Sequence, residues 1–178
     1  ENLKPQKIEP IRVCDEYAPL SFREYEGSTI VDFGANIAGV CEIEVTGERG
    51  AEITLKYGER LDDKGDVNRL NLRSAKATDK YILKGEGVEK YMPRFTYHGF
   101  QYVKIEISGK ATVKKIVAKH VHTDTKIVGN FACSDENLNY LHKIAVRTEH
   151  NNEHSILTDC PLRVERFGWL NDLGARLY

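Results

Sequence analysis

Apolar and polar positions along this chain follow two different rhythms. Up to about residue 125 the period is two: Cys41, Ile43 and Val45 alternate with Glu42 and Glu44. Ala51, Ile53, Leu55 and Tyr57 alternate with Glu52, Thr54 and Lys56, and Val103, Ile105 and Ile107 with Lys104 and Glu106. Such alternation predicts strands with one face turned to a core and a charged face turned outward. Val113 to Val121 is a further β-rich run, and glycines at 27, 47, 50, 58, 65, 85, 87 and 109 fall between the runs where turns need them. No helical period interrupts these runs, so residues 1–125 are predicted to form an antiparallel β-sandwich of jelly-roll type. Leu61 to Thr78 is the exception. Asp62 to Asp66 reads as a turn, and Asn68 to Ala77 carries only Leu70 and Leu72 as large apolar residues. That pattern predicts a long loop, of the kind that is functional or contacts another domain.

Near Lys126 the rhythm changes. Ser134-Asp135-Glu136-Asn137 has the composition of a helix start, with Ser134 as the expected N-cap. Leu138, Leu141, Ala145 and Thr148 then recur at helical spacing, with Ile144 beside them, predicting a helix to about His150. An extended stretch over Ile156 to Cys160 follows, and Pro161 keeps Cys160 out of a helix. A second helix is predicted from Arg163 to Arg176, weakened by Gly168 and Gly174. Two helices and a link do not make a core. The chain is therefore expected to stop inside a larger helical domain; the alternative is that the helices fold back on the sandwich.

Composition narrows the function classes. The chain has 178 residues, 40% apolar and 30% charged, with a mean hydropathy of −0.49. It holds no apolar run long enough to span a membrane. Lys plus Arg is 26 and Asp plus Glu is 27, a formal charge of −1 with no basic stripe, which speaks against nucleic acid as a partner. Cys14, Cys41, Cys133 and Cys160 lie far apart without a Cys-x-x-Cys pair, so reduced thiols are expected and a zinc site on cysteines is not. No signal peptide opens the sequence, and the compartment leans cytoplasmic on that ground alone.

On a helix at 100° per residue, Glu165, Trp169, Asp172 and Arg176 would share one stripe about 60° wide. A solvated polar face explains the charged members, but not the indole among them. An indole beside carboxylates is the composition of a sugar site: the ring packs on pyranose C–H groups and the carboxylates accept hydroxyls. Asp159 before Cys160-Pro161 adds another acid at a rigid turn. Other patterns are weaker. His150-Asn151-Asn152-Glu153-His154 matches H-x-x-E-H, but Asn151-Asn152 is expected to end the helix that a zinc site would need. His120 and His122 share a strand face and are expected at the surface, with a metal site as the minor alternative, and His98 is expected in a turn, the alternative being a contact to the rest of the barrel. Asp32-Phe33-Gly34 resembles a kinase triplet without the accompanying motifs, and Gly34 and Gly39 read as turn glycines. Tyr91, Phe95, Tyr97, Phe100 and Tyr102 are expected in core or interdomain packing.

The segment Asp159-Cys160-Pro161-Leu162-Arg163-Val164-Glu165-Arg166-Phe167-Gly168-Trp169-Leu170-Asn171-Asp172 resembles the signature of the bacterial α-L-rhamnosidases of glycoside hydrolase family 78, which are inverting glycosidases. Phe131 to Leu141, Val31 to Gly39, Asn71 to Leu83 and Pro93 to Val103 also resemble that family, in its order. The resemblance implies a β-sandwich followed by a six-hairpin (α/α) barrel, of which residues 126–178 would be the truncated first part. By motif position Glu165 matches the general acid. Asp159, Trp169 and Asp172 match residues that hold the rhamnose. Arg163, with Arg166, matches a motif arginine and is assigned a binding or local structural role. Leu162, Val164 and Asn171 depart from the family's polar residue, acid and glycine.

The resemblance further implies a partner, a glycoside or polysaccharide bearing terminal α-L-rhamnose, and no cofactor or metal at the site. It places the general base beyond Tyr178, in the rest of the same polypeptide, so the chain alone is expected to be inactive. No membrane partner is expected. The reading from a different class is a non-catalytic carbohydrate-binding or interdomain structural sandwich.

Overall fold

The computed structural model describes residues 2–169. Ten strands precede the helix: β1 (Ile11–Tyr17), β2 (Ser21–Tyr25), β3 (Ser28–Gly47), β4 (Glu52–Gly58), β5 (Arg60–Leu61), β6 (Val67–Asn68), β7 (Thr78–Ile82), β8 (Glu89–Tyr91), β9 (His98–Ser108) and β10 (Ala111–Thr123). Then come α1 (Glu136–Asn151) and a small hairpin of β11 (Glu153–His154) and β12 (Ile156–Leu157). The fold is mainly β, as the period-two rhythm predicts. The principal sheet is antiparallel and eight-stranded, in the order β1-β10-β3-β9-β4-β7, with β2 and β8 also paired to β3.

The 20-residue β3 organises the sheet. Its first half pairs with β2 and β9, its second half with β10 and β8, and its register on β9 slips between Asp32 and Ile37. At that irregularity Asp32 Oδ1 accepts from Gly34 N at 2.7 Å, and Gly34 takes φ +70°, a conformation open to glycine. Asp32-Phe33-Gly34 is thus the bend that lets one sheet curl onto itself. Gly39, expected in a turn, lies instead within β3 where β10 crowds it: a Cβ there would stand 1.8 Å from Lys119 O.

Val31, Phe33, Ile37, Ile43, Val45, Ile53, Leu55, Tyr57, Phe100, Val103 and Ile105 fill the interior. The outward face carries cross-strand ion pairs, among them Lys56–Glu106 at 2.6 Å and Lys80–Glu52 at 2.6 Å. The long loop over Leu61 to Thr78 is tied down by two residues. Leu72 is buried in the core, while Arg69 donates to Ala77 O and to Thr78 Oγ1, each at 3.0 Å, and also to Lys76 O.

Helix α1 begins one residue later than expected. Asp135, not Ser134, is the N-cap, and its side chain accepts from Asn137 N and Leu138 N. The helix ends at Asn151, close to the predicted end. Its apolar stripe is open to solvent: Leu138 and Leu141 are both exposed. Among the described residues, its anchor on the sheet is at its C-terminal end. Asn151 is buried, its Oδ1 accepts from Ala38 N at 2.8 Å, and its Nδ2 donates to Asn36 O at 3.1 Å. Those two backbone groups lie next to the β3 irregularity, so a side-chain amide supplies partners that a regular ladder would have supplied.

Candidate functional site

The motif segment lies against the sheet as an irregular strap. Asp159 N donates to Phe167 O at 3.0 Å, closing residues 159–167 into a loop. Pro161 and Leu162 rest on Gly99 of β9, where a Cβ would come within 3.0 Å of Pro161 Cγ. Arg166 is the clasp. It donates from Nη2 to Tyr97 O at 2.7 Å and to Pro161 O at 3.2 Å, and from Nε to Arg163 O at 3.1 Å. Its guanidinium also stands 4.0 Å from the Tyr97 ring centroid, and the other face of Tyr97 stacks on His154 at 3.8 Å. Burial pushes the Tyr97 hydroxyl's pKa up, with the Arg166 charge opposing, and pushes His154 down to about 4.

These contacts overturn the helix predicted from Arg163. Residues 163–169 are not helical. Arg166 takes φ +51°, and the carbonyls of Pro161 and Arg163 go to a guanidinium instead of to amides four residues on. The stripe computed for Glu165 and Trp169 on a helix therefore does not exist in that form. Asp172 and Arg176 lie outside the described residues.

Glu165 is partly exposed, and its Oε2 lies 3.5 Å from Arg73 Nη1. Arg73 belongs to the long loop and takes φ +54°. Arg163 reaches the same loop, with Nε 3.4 Å from Asn71 O. The loop thus meets the motif, a contact with no sign in the sequence beyond the loop's length. Trp169 is 51% exposed, and among the described residues Phe167 stands edge-on to it at 6.5 Å. One Asp159 oxygen, Oδ2, accepts from Cys160 Sγ at 3.3 Å, while Oδ1 is buried without a partner. Next to these residues, Ala75, Ala77, His98, Leu162, Arg163 and Arg166 line a cavity of about 280 Å³. The structure gathers Asp159, Arg163, Glu165 and Trp169 into one strap, with a half-buried acid, an exposed indole and cations drawn from two elements.

The histidines depart from expectation. His98 opens β9, buried, with Nε2 3.1 Å from Asp79 Oδ2 and its ring stacked on Tyr57 at 4.3 Å. His120 and His122 are 1% and 3% exposed, not surface residues. The end of α1 and the β11–β12 hairpin cover the end of β10: Thr123 Oγ1 donates to Glu153 O at 3.0 Å and accepts from Ser155 N at 2.8 Å. The H-x-x-E-H pattern is split between helix end and strand, as the Asn pair predicts. Among the aromatics, Phe100 is in the core, whereas Phe95 is fully exposed at φ +59°.

Comparison with known proteins places the chain. Residues 23–122 match the bacterial alpha-L-rhamnosidase concanavalin-like domain, and residues 126–177 the bacterial alpha-L-rhamnosidase 6 hairpin glycosidase domain. An alpha-L-rhamnosidase of Alteromonas sp. (strain LOR) is 39% identical over 97% of this chain, and one of Streptomyces avermitilis is 35% identical over 97%. Of solved structures, the alpha-L-rhamnosidase from Dictyoglumus thermophilum superposes with a TM-score of 0.88 at 42% identity, covering 93% of this chain and 19% of that one. The Streptomyces avermitilis enzyme complexed with L-rhamnose gives 0.88 at 36% identity, over 93% of this chain and 16% of that one. This chain spans about 19% of the Alteromonas relative and 17% of the Streptomyces one. A sandwich and a helical start that match both family domains in succession make this chain a member of the bacterial α-L-rhamnosidase family.

Proposed function

We propose that this chain is the sandwich and barrel entrance of an inverting α-L-rhamnosidase, in which Glu165 is the general acid. Asp159, Arg163, Trp169 and Asp172 hold the terminal rhamnose of a glycoside or polysaccharide. Inversion requires a protonated carboxyl at the glycosidic oxygen and a carboxylate that activates water, roughly 6.5–9.5 Å apart. The second carboxylate belongs to the remainder of the parent polypeptide, so the chain alone does not turn over. The observation that carries the reading is the strap itself: a half-buried Glu165 and an exposed Trp169 sit on a segment clamped to the sandwich by Arg166. A barrel wall packed on the exposed Leu138 and Leu141 would close a pocket over them.

The test has two parts. The 178-residue chain is expected to give no hydrolysis of an aryl α-L-rhamnoside; turnover would overturn its dependence on a distant base. In the parent enzyme, Glu165→Gln is expected to depress hydrolysis of rhamnosides with poor leaving groups far more than of activated aryl ones, the signature of a lost general acid. Equal losses on both would remove that role.

A non-catalytic binding sandwich is the second reading. The exposed Phe95 favours it: with Met92, Pro93, Tyr97, Val40 and Val121 it lines a groove of about 650 Å³. Rhamnose titration separates the two, since binding lost in Trp169→Ala favours the active-site wall and binding lost in Phe95→Ala favours the sandwich.

A further inference from the structure

Where β1 meets β10, three side chains unused by the motif strap converge. Asp15 on β1 pairs in register with His120 on β10, and His122 follows two residues on, on the same face. Among the described residues this is the one group of three metal-ligating side chains whose donor atoms lie within 4.8 Å of one another. Both imidazoles are buried, yet neither has its Nε2 hydrogen-bonded. A buried ring nitrogen without a partner, as His122 Nε2 is, costs free energy. The Asn151 amide, bonded to Ala38 N and Asn36 O, also lies beside His120 and keeps a second N–H and a second lone pair for that ring.

The tautomers are set by the neighbours. His122 Nδ1 lies 2.7 Å from Thr123 O, and a carbonyl only accepts, so Nδ1 carries the proton. His120 Nδ1 lies 3.3 Å from Asp15 Oδ2, the spacing of two donors on one tetrahedral ion, so in the metal-bound form Nδ1 is the unprotonated His120 ligand atom. His122 therefore presents an unprotonated Nε2 with its other nitrogen held by an oxygen, the arrangement that orients metal-bound histidines, while His120 presents Nδ1 toward the Asp15 carboxylate.

We propose that Asp15, His120 and His122 bind a divalent transition-metal ion of the zinc class. Donors around a tetrahedral zinc ion stand about 3.3 Å apart, so side-chain rotation closes the present spacing. The Asp15 side chain is 58% exposed and gives the ion access from solvent. His150 stacks face to face on His122 at 4.3 Å with 13° between the planes. Stacked rings aim their in-plane lone pairs side by side, so His150 packs over the site and water takes the fourth position. The site lies at the joint of sheet edge, α1 and the β11–β12 hairpin, so the ion would fasten the helical segment to the sandwich.

Zinc titration of the untagged 178-residue chain against a chromogenic chelator tests the proposal. One equivalent is expected to bind, and bound Co²⁺ is expected to give the visible d–d absorption of a tetrahedral site. Zn²⁺ should raise the thermal midpoint of the chain. Asp15→Asn, a solvent-accessible change that leaves the core intact, is expected to weaken binding by about tenfold or more and to abolish the thermal shift. His122→Gln should do the same, and His142→Ala, an exposed histidine elsewhere on α1, should change nothing. Absence of saturable binding would overturn the site, as would affinity unchanged in Asp15→Asn or lowered equally by His142→Ala.

Discussion

The sheet and the segment after it solve the same problem in opposite ways. Sheet residues such as Phe100, Leu55 and Ile53 are sealed by their own chain, and the curl of β3 is what seals them. In α1 the apolar stripe is made and then left open: Leu141 is 56% exposed although it sits at the heart of the helical pattern. The helix is held to the sheet at its C-terminal end, through Asn151, and the strap beyond it through Arg166. What the contrast teaches is that an apolar pattern specifies an element, while burial depends on what that element meets.

Substitutions should separate the two regimes sharply. Phe100→Ala removes a ring packed against Phe33 and Tyr57 at centroid distances of 5.9 and 4.9 Å, and should lower the unfolding free energy by about 3–5 kcal/mol in urea titrations. An equal loss from an α1 stripe residue would erase the distinction drawn above.

Acid should weaken the joint between the regions before it weakens the sheet. His120 and His154 have folded pKa values of about 4, depressed chiefly by burial, against about 6.5 when unfolded. The unfolded chain then binds more protons between those values, so stability rises with pH across that window. In metal-free buffer the contribution should be whole above pH about 6.5 and decline as pH falls toward 4, by on the order of 3 kcal/mol per histidine at most. A flat unfolding free energy from pH 7 to 5 would contradict it. Glu89 lies on the sheet with its pKa held at about 2, first by the Tyr81 hydroxyl and then by backbone amides. Its contribution is lost only below pH about 4.5, outside the histidine window.

Asn151→Ala leaves Ala38 N and Asn36 O without their partners beside the β3 bend, a loss of about 1–3 kcal/mol. Chemical denaturation followed by helix and sheet signals would show whether α1 loosens first. Arg166→Ala should act locally, lowering the opening free energy of amides across residues 158–169 by about 1–2 kcal/mol in hydrogen exchange. Protection unchanged there would mean the strap does not depend on its guanidinium clasp. The smallest effect is expected for Leu141→Ala, within about 0.5 kcal/mol in this chain, because the leucine has little to lose.

Much of this architecture is legible in residue order. Cys41-Ile43-Val45 and Ile53-Leu55-Tyr57 lie in strands because alternation is a local property with a clear period. The end of α1 is legible in Asn151-Asn152, although the true reason is stronger than poor helix propensity: one amide stitches two elements together. The second helix misled because its spacing fits 3.6 residues per turn, whereas Arg166 could satisfy Tyr97 O, 69 residues away, only by leaving the helical conformation. His120 and His122 look like surface residues in a strand whose neighbours alternate with lysine. Their burial comes from α1 and a two-residue hairpin more than 25 positions downstream, a distance across which periodicity carries no information.

The order of amino acids by itself determined the strands around residues 41–45, 51–57, 103–107 and 113–121, the first helix to within a residue or so at its ends, and the family motif, because each depends on neighbours within a few residues. The tertiary structure alone decided that the motif is a clamped strap instead of a helix, that Arg73 meets Glu165, and that three ligating side chains share a joint. Those outcomes rest on contacts between distant segments, where the surrounding packing outweighs local preference.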